Sequence, residues 1–239
     1  MHPKPVMEKC PQSPHASTPG WLPLVPLALG AVSGVWVVGA RGWFPTWHGF
    51  PNTASTTVLF LAAVAAASRS MSARYRWSIV AGLGCSAVGD AFLMQTRDYF
   101  LPGLASFLAA HLCYLWAFTS NSRLAGHKPP FLVSGVVGAA LVSWLWPGVP
   151  ASLRLPVIAY AAAILAMAAQ ATSRALSRRD AAAILAAVGA ALFVVSDAGL
   201  AGQRFREPLE WGRLLVLGTY FAAQASIALS AILPHRSGG

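Results

Sequence analysis

Acidic residues are scarce in this chain: seven Asp and Glu among 239 residues, with charged residues of both signs at only 10%. A soluble domain carries about 25% charged residues, so a water-covered globule is excluded. Disorder is excluded from the other direction, because 56% of the residues are hydrophobic and such a chain buries ample apolar surface. The three cysteines, Cys10, Cys85 and Cys113, are odd in number and lack framework spacing, so no disulfide scaffold is expected. The chain has no G-x-S-x-G elbow and no G-x-x-x-x-G-K-[ST] phosphate loop. A zinc site needs about three His or Cys ligands, and His111 is the one histidine well inside an apolar run. No metal and no cofactor are expected. An intramembrane aspartyl protease is excluded as well, since Ala87 stands at the first position of its G-x-G-D signature and no Tyr-Asp pair occurs.

What is abundant is apolar sequence. Eight runs, at about 22–40, 53–68, 77–95, 100–119, 131–147, 155–171, 181–200 and 213–233, approach the roughly 20 residues that a bilayer demands. The expected fold is all-α: a polytopic membrane protein with eight transmembrane helices over residues 21–233. It is flanked by a disordered cytosolic tail at 1–20 and a short cytosolic tail at 234–239. The first run exceeds the usual core of a signal peptide and reads as a span. Of the 17 Lys and Arg, eleven fall with the termini and the loops on their side and six on the other, which places both termini in the cytosol. The net charge of +10 then reflects orientation and contact with anionic headgroups, not nucleic acid. Seven tryptophans near run ends (Trp21, Trp43, Trp47, Trp77, Trp144, Trp146, Trp211) read as interfacial anchors. Val88-Gly89-Asp90-Ala91-Phe92-Leu93 matches Val195-Ser196-Asp197-Ala198-Gly199-Leu200 at an offset of 107, as do Gly82 and Gly189, and Arg97 and Arg204. This suggests a parallel four-plus-four repeat.

Only Asp90 and Asp197 lie inside runs. A carboxylate at membrane depth costs at least about 2.5–3.5 kcal/mol, far more than the ~0.6 kcal/mol of an average interhelical hydrogen bond, so both are expected to serve function. Asp90 lies 13 residues past Trp77 and Asp197 16 past Ala181. That places them about 20 and 24 Å from the cytosolic ends of their helices, at a similar depth beyond the midplane. Two carboxyls sharing one cavity would divide a single proton, giving an acid and a base without a metal. The candidate partners are Ser86, one turn before Asp90; His111 and Tyr114 on one face of the fourth run; Tyr160 in the sixth; Ser196 beside Asp197; and Tyr220 and Gln224 on one face of the eighth. The loop arginines Arg97, Arg204 and Arg213 read as solvated anchors. The residues alone leave open an enzyme, a proton-coupled membrane transporter and a catalytically inactive scaffold.

Cys85-Ser86-Ala87-Val88-Gly89-Asp90-Ala91-Phe92-Leu93 and Ala110-His111-Leu112-Cys113-Tyr114-Leu115-Trp116-Ala117-Phe118 resemble the lysoplasmalogenase family, also called YhhN-like or transmembrane protein 86 proteins, and its vertebrate liver-type branch in particular. Leu155-Pro156-Val157 with Tyr160, Leu192-Phe193 with Ser196-Asp197, and Thr219-Tyr220-Phe221-Ala222-Ala223-Gln224 carry the likeness to about residue 232. One departure is Ser55-Thr56-Thr57-Val58, where the family often has Lys-x-x-Pro. The resemblance implies an eight-helix enzyme of the endoplasmic reticulum membrane. Its substrate would be a lysophospholipid, lysoplasmenylethanolamine or lysoplasmenylcholine, cleaved at the vinyl ether to a fatty aldehyde and glycerophosphoethanolamine or glycerophosphocholine. Membrane lipid is its other partner, and a homodimer is an expectation about assembly. The chemistry fits the carboxylate pair, since a vinyl ether opens only after protonation on carbon, through an oxocarbenium ion related to that of glycosidases.

Overall fold

The computed structural model describes residues 72–93, 98–207 and 210–233, together with Ala28 and Val64. The first two expected spans, apart from those two residues, both tails, Arg97 and the Ser55–Val58 stretch lie outside the described residues. Six α-helices follow one another: α1 (Ala73–Leu93), α2 (Phe100–Phe118), α3 (Pro129–Leu145), α4 (Arg154–Arg178), α5 (Ala181–Phe205) and α6 (Gly212–Ile232). No strand occurs among the described residues. Five of the helices, α2 to α6, are long and apolar enough to cross a membrane. Leu132, Val133 and Val136 of α3 and Leu155 of α4 are more than 60% exposed, and such a continuous apolar exterior suits lipid rather than water. The chain is a multi-pass membrane protein. Trp77, Trp144, Trp146 and Trp211 are exposed, as interfacial anchors must be.

Short connections make sequential helices antiparallel neighbours: α1 packs on α2, α3 on α4, α4 on α5, and α5 on α6. In addition α4 crosses onto α2, and α1 touches α6. The helices meet where side chains are smallest. A Cβ on Gly82 would lie 2.3 Å from the Tyr114 ring, and one on Gly189 would lie 2.9 Å from the Ala223 carbonyl. These matched glycines bring α1 onto α2 and α5 onto α6.

Helix limits depart from the apolar runs most in α4, which continues past residue 171 to Arg178, and in α5, which continues past residue 200 to Phe205 and takes Arg204 out of the expected loop. The polar stretch Thr172-Ser173-Arg174 looks like a span end, but it is satisfied inside the fold. Arg174 lies over the Tyr75 ring at 4.7 Å and donates to Asn121 at 2.9 Å. Ser173 Oγ accepts from His127 N–H at 2.9 Å. One turn earlier, Gln170 takes the N–H of Ala125 and donates to the Phe118 and Arg123 carbonyls, closing the α2–α3 loop. Arg179, with φ 53°, ends α4, and the Asp180 carboxylate caps α5 through Ala183 N–H at 2.7 Å.

Gly82 and Gly135 should respond oppositely to a methyl group. Gly82→Ala forces the buried Tyr114 ring aside and should cost about 1–3 kcal/mol. Gly135→Ala meets nothing within 4 Å and should be neutral or stabilising by up to about 1 kcal/mol. Thermal unfolding of the purified variants in one detergent checks both.

Candidate active site

Gly82, Ser86 and Asp90 form one buried row on α1. Asp90 accepts from the Tyr220 hydroxyl at 2.7 Å. Tyr220 accepts from Gln224 Nε2 at 2.8 Å, and Gln224 Oε1 accepts from the Tyr114 hydroxyl at 3.1 Å. Ser86 Oγ stands 3.4 Å from that hydroxyl, and since Tyr114 gives its proton to Gln224, Ser86 is the donor. Every donor in this series points toward Asp90. The i,i+4 spacing of Tyr220 and Gln224 on α6 makes the middle link possible.

The second carboxyl is held differently. Tyr160 of α4 donates to Asp197 Oδ2 of α5. His111 Nε2 of α2 lies 2.9 Å from the Tyr160 hydroxyl and 3.2 Å from the same Oδ2. Three ionisable groups from three helices thus form a triangle. The His111 ring is fully buried, and its Nδ1 has no hydrogen-bond partner among the described residues. Phe193, one turn before Asp197, packs against both sets: its ring centroid is 5.3 Å from His111, 5.9 Å from Tyr114 and 5.7 Å from Tyr220. Ser196 belongs to neither set, because its hydroxyl donates to the Val216 carbonyl at 3.0 Å and ties α5 to α6.

An apolar cavity opens beside Asp197. Among the described residues Tyr160 and Asp197 are the only polar side chains in its lining, and Asp90 does not share it. Phe100, Leu145, Val157 and Phe205 stand at one end and Phe107, Leu141, Ile164 and Val194 at the other, with Tyr160 and Asp197 partway along. The first end is where α1, α3 and α5 finish and α2 and α4 begin. Val142, Ala161 and Leu165 also line a groove between α3 and α4 on the outer face of the bundle, so these three side chains stand between cavity and groove. Phe107 joins the cavity to the Asp90 set by packing edge-on against Tyr220 at 6.0 Å. Among the described residues no three His, Cys, Asp or Glu side chains converge as metal ligands would.

At the outer end of the cavity, Arg204 pairs with Asp98, whose other oxygen accepts from Phe100 N–H at 3.3 Å. The hydrogen bond from Arg204, with the Phe100 amide second, holds the Asp98 carboxyl below the usual carboxylate range.

Sequence reasoning found both carboxyls and their partners, since polar side chains in apolar helices are few. It missed Phe193 and Phe107; Phe193 carries a signal, its i,i+4 spacing from Asp197.

Fold and site define a multi-pass helical membrane protein whose buried carboxyls adjoin a space suited to hydrocarbon. The YhhN family model matches residues 51–231, and the chain belongs to that family. It is 40% identical to lysoplasmalogenase TMEM86B of Sus scrofa over 173 residues, covering 72% of this chain and 69% of that protein. It is 35% identical to the protein of that name from Homo sapiens, covering 68% of this chain and 67% of the relative. Against lysoplasmalogenase TMEM86A of Homo sapiens it is 36% identical, covering 64% and 65%. Membership among relatives so named makes the chain an enzyme. No solved structure matches it.

The lowered folded-state value of Asp98 has a signed consequence. Its stabilising contribution is present above the unfolded carboxyl value and is lost as pH falls through the folded one. At 64% exposure that contribution is small, so the pairing is read from the carboxyl itself: Arg204→Gln should raise the Asp98 titration toward the ordinary carboxylate range by NMR, and an unchanged titration would contradict the pairing.

Proposed function

We propose that this chain hydrolyses the vinyl ether of lysoplasmalogens, giving a fatty aldehyde and a glycerophospho-alcohol. The observation that carries the reading is the placement of Asp197 and Tyr160 as the sole polar groups, among the described residues, in an apolar cavity between crossing helices. The names of the relatives supply the bond that is cleaved. The hydrocarbon chain lies in the inner part of the cavity and continues past Val142 and Leu165 into the groove between α3 and α4. The lipid therefore need not leave the bilayer.

Two carboxyls divide the work without a metal. Asp197, open to the cavity, protonates the alkenyl carbon distal to the ether oxygen. The double-bond electrons form the new C–H bond, and the adjacent carbon becomes an oxocarbenium ion. The ionised Asp90, fed by Tyr220, stabilises that cation across the cluster. Water adds to the oxocarbenium carbon, and its proton returns to Asp197. The hemiacetal then collapses: the C–O bond to glycerol breaks, the hydroxyl proton leaves, and glycerol oxygen takes a proton. One water is consumed and the acid is regenerated. Tyr160 and His111 hold the Asp197 carboxyl in position beside the cavity for this step.

The enzyme acts in the endoplasmic reticulum membrane with both termini in the cytosol. The eight-helix fold is built as a four-plus-four repeat, a reading supported by the close helix approaches at Gly82 and Gly189. On this account Asp90→Asn and Asp197→Asn each lower kcat for aldehyde release by about 10²–10⁴, while the purified variants remain folded. Tyr160→Phe has a smaller effect of the same sign. Wild-type turnover in either asparagine variant contradicts the two-carboxyl mechanism.

A further inference from the structure

We propose that Arg204 and Asp98 form a clamp for a zwitterionic phospholipid headgroup, with Arg204 taking the phosphate and Asp98 the ammonium. The inference rests on the reading of the cavity as a lysolipid site. Arg204 follows Asp197 by seven residues, two helical turns with a rise of about 10.5 Å, which puts both on one face of α5. Its guanidinium lies 5.1 Å from the Phe100 ring centroid, and Phe100 meets Phe205 edge-on at 5.7 Å. Both rings line the cavity, so the ion pair stands at its mouth.

The order of groups along α5 follows the covalent order of a lysolipid. Arg204 comes first, for the phosphate. Ala201, small and in the cavity wall, leaves room for glycerol. Asp197 meets the vinyl ether, and Val194 begins the hydrocarbon wall. The long arginine stem and the glycerol backbone together cover the distance between headgroup and reacting bond. By the expected depth of Asp197, this mouth opens at the non-cytosolic interface, where a lipid keeps its headgroup.

The chemistry of the pair separates it from a structural salt bridge. Arg178 and Asp180 are that kind: Asp180 is 5% exposed and caps α5. Arg204 and Asp98 are 42% and 64% exposed, where an ion pair contributes little to stability but both ends are open to a ligand. A phosphocholine or phosphoethanolamine group carries the complementary charges in one molecule. Binding exchanges one ion pair for two and leaves the net charge of the mouth unchanged. A guanidinium suits a phosphate because it can donate two parallel hydrogen bonds.

Uncleavable analogues test the clamp apart from catalysis. The full chain in detergent is titrated with a 1-O-alkyl glycerophosphocholine, the matching alkyl glycerophosphate and the matching alkylglycerol. Arg204→Gln should weaken both phosphate-bearing ligands by about tenfold or more and leave the alkylglycerol unchanged. Asp98→Asn should weaken only the phosphocholine ligand. The double exchange Arg204→Asp with Asp98→Arg rebuilds the ion pair yet should not restore headgroup preference. Equal loss for all three ligands, no change for any, or full recovery in the double exchange would overturn the clamp. Lysoplasmalogen cleavage by the wild type is scored separately: if the analogues behave as stated and no aldehyde forms, the clamp stands and the reaction does not. If aldehyde forms and Arg204→Gln binds the analogues as wild type does, the clamp alone falls.

Discussion

A carboxyl group placed among apolar helices must find donors from its neighbours or lose its charge, because no solvent is there to help. Asp90 and Asp197 impose that requirement on five of the six described helices, α3 being the exception. Asp90 of α1 is met by Tyr220 of α6, with Gln224 and Tyr114 behind it. Asp197 of α5 is met by Tyr160 of α4 and His111 of α2. The helix contacts then follow. Gly82 is bare because the Tyr114 ring must lie flat against α1, and Gly89 is bare because Phe107 lies there. Phe193 fills the space against both sets with a ring that neither donates nor accepts. The helices gather eight polar side chains into these two small clusters.

Much of this is legible in the sequence for the same reason. When Asp90 and Asp197 are the only acids inside apolar runs, and His111, Tyr114, Tyr160, Tyr220 and Gln224 are among the few polar groups able to reach them, function and pairing are narrowly constrained. Helix periodicity adds the faces, since i,i+3 and i,i+4 spacings align His111 with Tyr114 and Tyr220 with Gln224. What is not legible is how partners divide between the two carboxyls. The bonds from Tyr220 to Asp90 and from His111 to Asp197 join residues 130 and 86 positions apart, and local pattern is silent at such range. Ser196 looks like a site residue because it precedes Asp197, yet its hydroxyl holds the Val216 carbonyl. The end of α4 is hidden for a related reason: Arg174 looks solvated until Tyr75 and Asn121 are brought to it.

The cavity links this electrostatic core to a membrane substrate. Among the described residues its lining is hydrocarbon apart from Tyr160 and Asp197, and it shares a wall with a groove on the outer face of the bundle. A water-soluble substrate would gain nothing from such walls, whereas a lipid chain exchanges one apolar surrounding for another. Specificity must then come from the reacting level and from the charged mouth. Arginine 204 shows how position revises a reading based on residue type: as one basic residue among many it is an anchor, and two turns from Asp197 it becomes a contact for the headgroup.

The central claim is that the two buried carboxyls hold one proton between them at neutral pH. Infrared difference spectroscopy of the purified protein reads this directly, because a protonated carboxyl in an apolar site has a carbonyl stretch well separated from that of a carboxylate. The account predicts one such band in the wild type at neutral pH, lost in Asp197→Asn and retained in Asp90→Asn. A spectrum with no protonated buried carboxyl, or with a band unaffected by either substitution, would contradict it.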